Sequence, residues 1–332
     1  MLEERVAEVL ARYPLEIQRS YRMRGAYVLE TRQGLYLYRN YSGSEMRAGQ
    51  EAAIQQCLMD RGFERVDRYL ANTEGEFLGI DAMGEAHVVK RWFQGEECNL
   101  REPAEVELAA ETLAELHQAM KRMKGALPFE ARCRQVSIEE QQGRHLRELQ
   151  RIRTYIRGKR ERNPLELLLL QSLDRYYEQG EEALAFLGEH KPKELEREAE
   201  EEGHFFHGNY SYHSLLLQES EMAVIQFERS GPGIQLADLY YLMRKALEKN
   251  EWLPEIGERI LKSYQKRIAL SFQERQILYG MLYFPEKYWK IANGYFNGKK
   301  SRIPGRNRIK LEEFLHQEGV RSSFLQQVDI FQ

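Results

Sequence analysis

The sequence predicts an α+β protein built as two lobes, a small sheet-bearing lobe over residues 1–92 and a larger, mainly helical lobe over 93–332. Three observations carry this. Strand-type stretches crowd into 21–41 and again into 66–93; a helix-length stretch, 44–61, lies between them; and from 103 onward the apolar spacing is mostly that of helices. A chain of 332 residues can bury a sizeable core shared by both lobes. Such a shape places its cleft at the junction.

The elements follow in order. MLEERVAEVLARY sets apolar residues at helical spacing among acids and arginines, which predicts an opening helix. YRMRGAYVLETRQGLYLYRNY (21–41) alternates and is rich in Tyr, Val and Leu, with RQG where a hairpin turn belongs, so consecutive antiparallel strands are expected. SEMRAGQEAAIQQCLMDR (44–61) carries Met46, Ala53, Ile54, Cys57 and Leu58 at roughly helical spacing, with Gly62 as its terminator. Three short strands are then expected around VDRYLA, FLGIDA and AHVVKRWF. In the second lobe Pro103 opens a helix to 120, whose apolar face includes His117 as a satisfied core residue. Helices over 139–161 and 164–188 come next, then KPKELEREAEEEG (191–203) as a charged connector or frayed helix. Short strands at 214–217 and 223–227 precede a mostly helical remainder.

Composition narrows the function classes. Lys and Arg number 49 against 52 Asp and Glu, a formal net charge of −3, which does not fit a generic nucleic-acid binder. The opening helix lacks the uncharged core of a signal peptide, and no apolar run approaches a membrane span, so no membrane partner is expected. Cys57, Cys98 and Cys133 are far apart and predict neither a disulfide framework nor a zinc site, as suits a reducing cytosol. The arginine-rich RHLRELQRIRTYIRGKRER (144–162) reads as a solvated helix face or as a docking face for acidic groups, including those at 194–202.

The chemistry concentrates in HGNYSYHSLLL (207–217) and in QFE (226–228), nine residues further on. Their spacing is that of a phosphotransferase catalytic loop, a hairpin and a metal-binding position. That chemistry uses an aspartate base, an asparagine five residues later and an aspartate after the hairpin, the last two holding magnesium. This chain has Asn209, Ser214 and Gln226 there. An amide has no proton-accepting pKa in the working range, so Asn209 cannot serve as general base. Magnesium wants hard oxygen ligands, usually with a carboxylate among them, and Ser214 and Gln226 supply none. His207 and Gly208 make the turn before the loop; His207 and His213 lack metal-spaced partners and read as bracing or stacked residues. Glu228, two residues past Gln226, is a weak candidate metal ligand, since strand alternation alone does not place it at the site.

These segments together resemble the bacterial spore coat protein S family, which has the choline kinase and aminoglycoside phosphotransferase fold, a bilobal protein-kinase-like fold. QGLYLYRNY is similar to the family's third strand, with Arg39 at its phosphate-gripping lysine position. VVKRWFQGEECNL is similar to the interlobe connector and AAETLAELHQAM to the first large-lobe helix. FFHGNYSYHSLLL and AVIQFE match the catalytic and metal motifs, IQLADLYYLMRKAL the helix after them, and FPEKYWKIANGYFNGKKSRIP the C-terminal segment. The resemblance is to divergent members and implies that active relatives carry Asp, Asn and Asp at 209, 214 and 226. It also implies that Asp238 braces the catalytic-loop backbone. Arginine keeps the charge at position 39, but its planar fork does not replace a compact ammonium; Glu45 and Glu51 are both candidates for its helix partner. The expectation is a pseudokinase without ATP, magnesium or other cofactor. Its implied partners are other spore coat proteins, after synthesis in the mother-cell cytoplasm. A small-molecule kinase with displaced ligands and a nucleotide-holding pseudokinase stay open as alternatives.

Overall fold

The computed structural model describes residues 4–23, 25–131, 136–298, 304–326 and 331. Cys133 lies outside them. The small lobe contains α1 (Glu4–Leu10), β1 (Ile17–Met23), β2 (Ala26–Thr31), β3 (Gly34–Asn40), α2 (Glu45–Asp60), β4 (Tyr69–Leu70), β5 (Leu78–Ile80) and β6 (Ala86–Trp92). Its strands form one antiparallel sheet in the order β1-β2-β3-β6-β4, with β5 also paired to β6. The β2–β3 turn falls on Arg32 and Gln33, because Thr31 pairs with Gly34. Val6, Val9 and Leu10 of α1 pack on Leu29, Tyr36, Tyr38 and Val89 of this sheet. Ser44 caps α2 by accepting the Arg47 N–H at 3.3 Å, and Gly62 follows the helix at φ +87°, a left-handed terminus that glycine adopts without a Cβ clash.

The large lobe begins with β7 (Glu96–Glu97) and continues through α3 (Pro103–Met120), α4 (Ile138–Gly158), α5 (Pro164–Glu189) and α6 (Pro192–Glu201). Next come β8 (Phe205–Phe206), β9 (Leu215–Gln218), β10 (Glu221–Val224) and β11 (Gly231–Pro232). The chain ends with α7 (Leu236–Lys249), α8 (Pro254–Gln265), α9 (Phe272–Tyr283), α10 (Glu286–Asn297), α11 (Pro304–His316) and α12 (Glu318–Gln326). Helix starts follow their local chemistry. Pro103 and Pro164 take first-turn positions without a lost hydrogen bond, and Asn163 with Glu166, like Ser271 with Glu274, closes a reciprocal cap.

The main core joins Leu113, Leu116 and Met120 of α3 to Leu239, Leu242 and Met243 of α7 and to Ile260 of α8. A second core lies among α4, α5, α10 and α11, around Leu149, Leu173, Tyr288 and Leu311. The lobes are stitched together at the hairpin, where Val66 bridges Val224 and the Val224 N–H donates to the Arg65 carbonyl at 2.9 Å; within the large lobe, β7 pairs with β9.

Four expectations change. The first strand starts at Ile17, ahead of the tyrosine-rich stretch. The charged connector forms the ten-residue α6, where Arg197 pairs with Glu201 one turn on and Glu196 accepts the Ile138 N–H at 2.8 Å. The strand expected over 223–227 stops at Val224, because Gln226 takes φ +70° and leaves the ladder. On the arginine-rich α4, Arg153 and Arg157 pair with Asp174 of α5 rather than with the acids of α6.

Candidate functional site

The loop at 207–214 is held from below by Asp238. Its Oδ2 accepts the His207 N–H at 2.6 Å and its Oδ1 the Gly208 N–H at 2.9 Å, while His117 Nε2 stands 3.3 Å from Oδ2. Tyr264 meets the other His117 nitrogen at 2.8 Å. His207 is fully buried between the Ile225 carbonyl, 3.1 Å from Nε2, and the Asn209 N–H, which points to Nδ1 at 3.2 Å. A carbonyl can only accept, so Nε2 carries the proton and Nδ1 is free to accept. The neutral ring is therefore satisfied on both sides, and burial pushes its pKa below the usual histidine value. His213 lies outside this group, 3.1 Å from Glu97 and tilted against Tyr212.

Asn209 and Gln226 face each other. The Asn209 amide donates to Gln226 Oε1 at 3.0 Å, a pair without formal charge. Ser214 turns inward instead. It is fully buried, accepts the Ser211 N–H at 2.9 Å and lies 2.9 and 2.8 Å from the carbonyls of Asn209 and Ser211, so its hydroxyl closes the loop.

The charged part of the site is built around two residues that sequence reasoning passed over, Lys90 and Asp67. Lys90, in the middle of β6, is fully buried. Its Nζ lies 3.3 Å from Asp67, 3.5 Å from Glu228 and 3.9 Å from Glu51, and 4.2 Å from the Tyr69 ring centre. Burial lowers its pKa, and the Asp67 charge works against that shift. Asp67 also accepts from Gln55 of α2 at 3.0 Å and from the Gln226 N–H at 3.1 Å. One carboxylate thus links the small-lobe helix, the sheet and the segment after the hairpin.

Arg39 pairs with Glu228. This corrects the expected helix partner. Glu45 instead accepts the N–H groups of Phe77 and Leu78 at 2.8 and 2.9 Å, and Glu51 accepts from the Tyr69 and Tyr41 hydroxyls. Glu228 is brought to the site as an ion-pair partner of both Arg39 and Lys90. Lysine within the apolar run HVVKRW was the available signal for Lys90, since an ammonium in a buried strand requires anionic partners. Asp67 stands in a loop and gave no comparable signal.

Beside this cluster Trp92 spans the gap between the lobes. It packs on Ala26, Val28 and Leu37 of the sheet and on Leu216, Ala223 and Ile225 of the hairpin region. Elsewhere, Asp81, Glu85 and His87 bring metal-type ligand atoms within 4.8 Å of one another at the β5–β6 turn. Asp81 there already accepts the N–H groups of Met83 and Glu85 at 2.9 Å each and faces His87 at 3.2 Å. Cys57 and Cys98 are buried free thiols, and burial pushes that of Cys98 up to about 12.

Residues 7–328 match the family described as "Spore coat putative kinase YutH". The chain belongs to this family. No curated protein matches the sequence. Among solved structures, an aminoglycoside phosphotransferase from Alicyclobacillus acidocaldarius is similar at a TM-score of 0.87 and 18% identity, over 99% of this chain and 96% of that one. A spectinomycin phosphotransferase solved in its AMP-bound complex follows at 0.63 and 13%, over 93% and 96%. A microcompartment-associated aminopropanol kinase follows at 0.58 and 12%, over 96% and 97%. At these identities the likeness establishes the fold: the α+β, kinase-like architecture of aminoglycoside phosphotransferases. The resemblance to spore coat proteins of that fold holds for nearly the whole chain. No helix among the described residues is long and apolar enough to cross a membrane.

Proposed function

We propose that this spore coat family member is a pseudokinase that has lost phosphotransfer and acts through its surface on other coat proteins. The observation that carries the reading is the neutral Asn209–Gln226 amide pair at the base and metal positions. The donor set there does not fit a magnesium ion. Asn209 and Gln226 offer amide oxygens, Ser214 is turned into its own loop, and Glu228 and Asp67 share Lys90, with Arg39 also on Glu228. Trp92 packs against both the sheet and the hairpin region beside this cluster. Nucleotide is therefore no part of the proposed role, and neither is a membrane or nucleic acid. The proposed setting is synthesis in the mother-cell cytoplasm followed by deposition in the coat; the spore coat family supports the second step.

One observation favours a second reading, a small-molecule kinase with displaced ligands. Asp67 and Glu228 do place carboxylates beside Gln226. Both are held by buried or half-buried cations, and neither supplies a base at position 209. Transfer of labelled phosphate from ATP to a panel of small amines and alcohols tests the two readings, with the wild type beside Asn209→Asp. Neither protein is expected to transfer, because restoring the base leaves the metal positions neutral. Substrate-dependent turnover by the single variant would overturn this account of the site.

A further inference from the structure

The turn between β5 and β6 carries a cluster that the cleft does not use. Asp81 follows β5, Glu85 precedes β6, and His87 is the second residue of that strand. Backbone bonds close the turn: the Asp81 N–H donates to the Glu85 carbonyl and the Gly84 N–H to the Asp81 carbonyl, each at 3.0 Å. Residues 85 and 87 stand two apart at the entry to a strand, so their side chains leave the same face. Lys90, three residues beyond His87, faces the other way, toward Glu228 and the candidate site. His87 instead stacks at 4.9 Å on Tyr38, which belongs to the core under α1. The cluster therefore lies on the opposite face of the sheet from the candidate site.

The imidazole sets this cluster apart from an ordinary acidic turn. His87 is 6% exposed and aims Nε2 at Asp81 Oδ2, 3.2 Å away. A hydrogen bond spans that distance, and so does the edge of a tetrahedral metal site: ligand bonds of about 2.0–2.1 Å put neighbouring donors roughly 3.3 Å apart. Nδ1 of the same ring is buried without a partner. His207 is the contrast, since there a backbone N–H holds Nδ1 as the acceptor and obliges Nε2 to keep its proton. Nothing holds His87 in that tautomer. Its ring can carry the proton on Nδ1 and offer the Nε2 lone pair.

The carboxylates complete the donor set. Asp81 spends Oδ1 on the N–H groups of Met83 and Glu85, which leaves Oδ2 to face the ring. Glu85 is exposed, with the Asn40 amide 3.3 Å from one of its oxygens. Ligand atoms of all three groups lie within 4.8 Å of one another. An imidazole beside two carboxylates suits a first-row divalent cation of the zinc class; magnesium and calcium take oxygen donors instead.

We propose that Asp81, Glu85 and His87 form a binding site for a zinc-class divalent cation, with water completing the coordination on the exposed side of the turn. The inference is independent of whether the chain transfers phosphate.

Calorimetric titration of the full chain, first stripped with EDTA, with Zn²⁺ and separately with Mg²⁺ and Ca²⁺ tests it. Zn²⁺ should bind at least about 100-fold more tightly than either hard cation. The chain has 8 His, so substitutions locate the ion. Glu85→Gln removes an exposed carboxylate, and Asp81→Asn keeps an amide oxygen to cap the turn. Each should weaken Zn²⁺ binding by at least about 10-fold, the least expected when even a supporting partner of a ligand is lost. Each should also abolish the rise in unfolding temperature that Zn²⁺ gives the wild type. Thermal unfolding without metal checks that the variants are folded, and one substitution serves should the other fail. Zn²⁺ binding no tighter than Mg²⁺ binding, or Zn²⁺ affinity unchanged in a folded variant, would each overturn the proposal.

Discussion

At the scale of single residues, the site is decided by which charges have partners. Lys90 is surrounded by Asp67, Glu228 and Glu51, so removing it leaves three carboxylates facing one another in or beside a buried space. Breaking a buried pair from one side costs about 3–5 kcal/mol. Lys90→Met is accordingly expected to lower unfolding stability by about that amount in urea at neutral pH; a loss below about 1 kcal/mol would mean the cluster is only a surface-type arrangement. His207 gives a pH prediction. Burial lowers its pKa below 6.5 in the folded chain, so the unfolded chain binds the proton first as the solution is acidified. Its contribution is whole above 6.5 and is lost as pH falls below that value. Denaturation curves taken stepwise from neutral pH downward should show falling stability, with a shallower slope in His207→Gln; parallel slopes would assign the acid sensitivity elsewhere. Asn209 and Gln226 were legible as candidates from the spacing of their segments, and the fold brings them together. Lys90 and Asp67 were not, because their role exists only after β6 and the loop before β4 have been folded together.

At the scale of elements, the long helices were legible and the shortest strands were not. Pro103, Pro164 and Asn163 mark helix starts by local chemistry alone, and the observed helices begin where those residues predict. Strands β7, β8 and β11 have two residues each, too few to display alternation, and exist only through pairing with distant partners. The turn at Gly208 is a further case of tertiary constraint. It has φ +77°, and a Cβ there would sit 2.5 Å from the Arg229 carbonyl oxygen, whereas Gly75 at φ +87° faces open space. Alanine at either position bears the left-handed cost of about 1–2 kcal/mol. Gly208→Ala adds a backbone clash and should destabilise the chain measurably more than Gly75→Ala in paired thermal unfolding. Equal losses would show that the 207–209 turn relaxes freely around a side chain.

At the scale of the whole molecule, the two lobes meet through ionic and apolar contacts. Asp67 reaches the Gln226 backbone, Arg39 and Lys90 reach Glu228, and Trp92 lies against both the sheet and the hairpin region. A phosphotransferase cleft must admit nucleotide and metal between these same surfaces. The central claim is that this one has turned those contacts to holding itself together. Calorimetric titration of the purified chain with ATP, with and without Mg²⁺, tests that most directly. The account predicts no binding heat in either condition; nucleotide binding that requires Mg²⁺ would contradict it and return the chain to the working kinases of its fold.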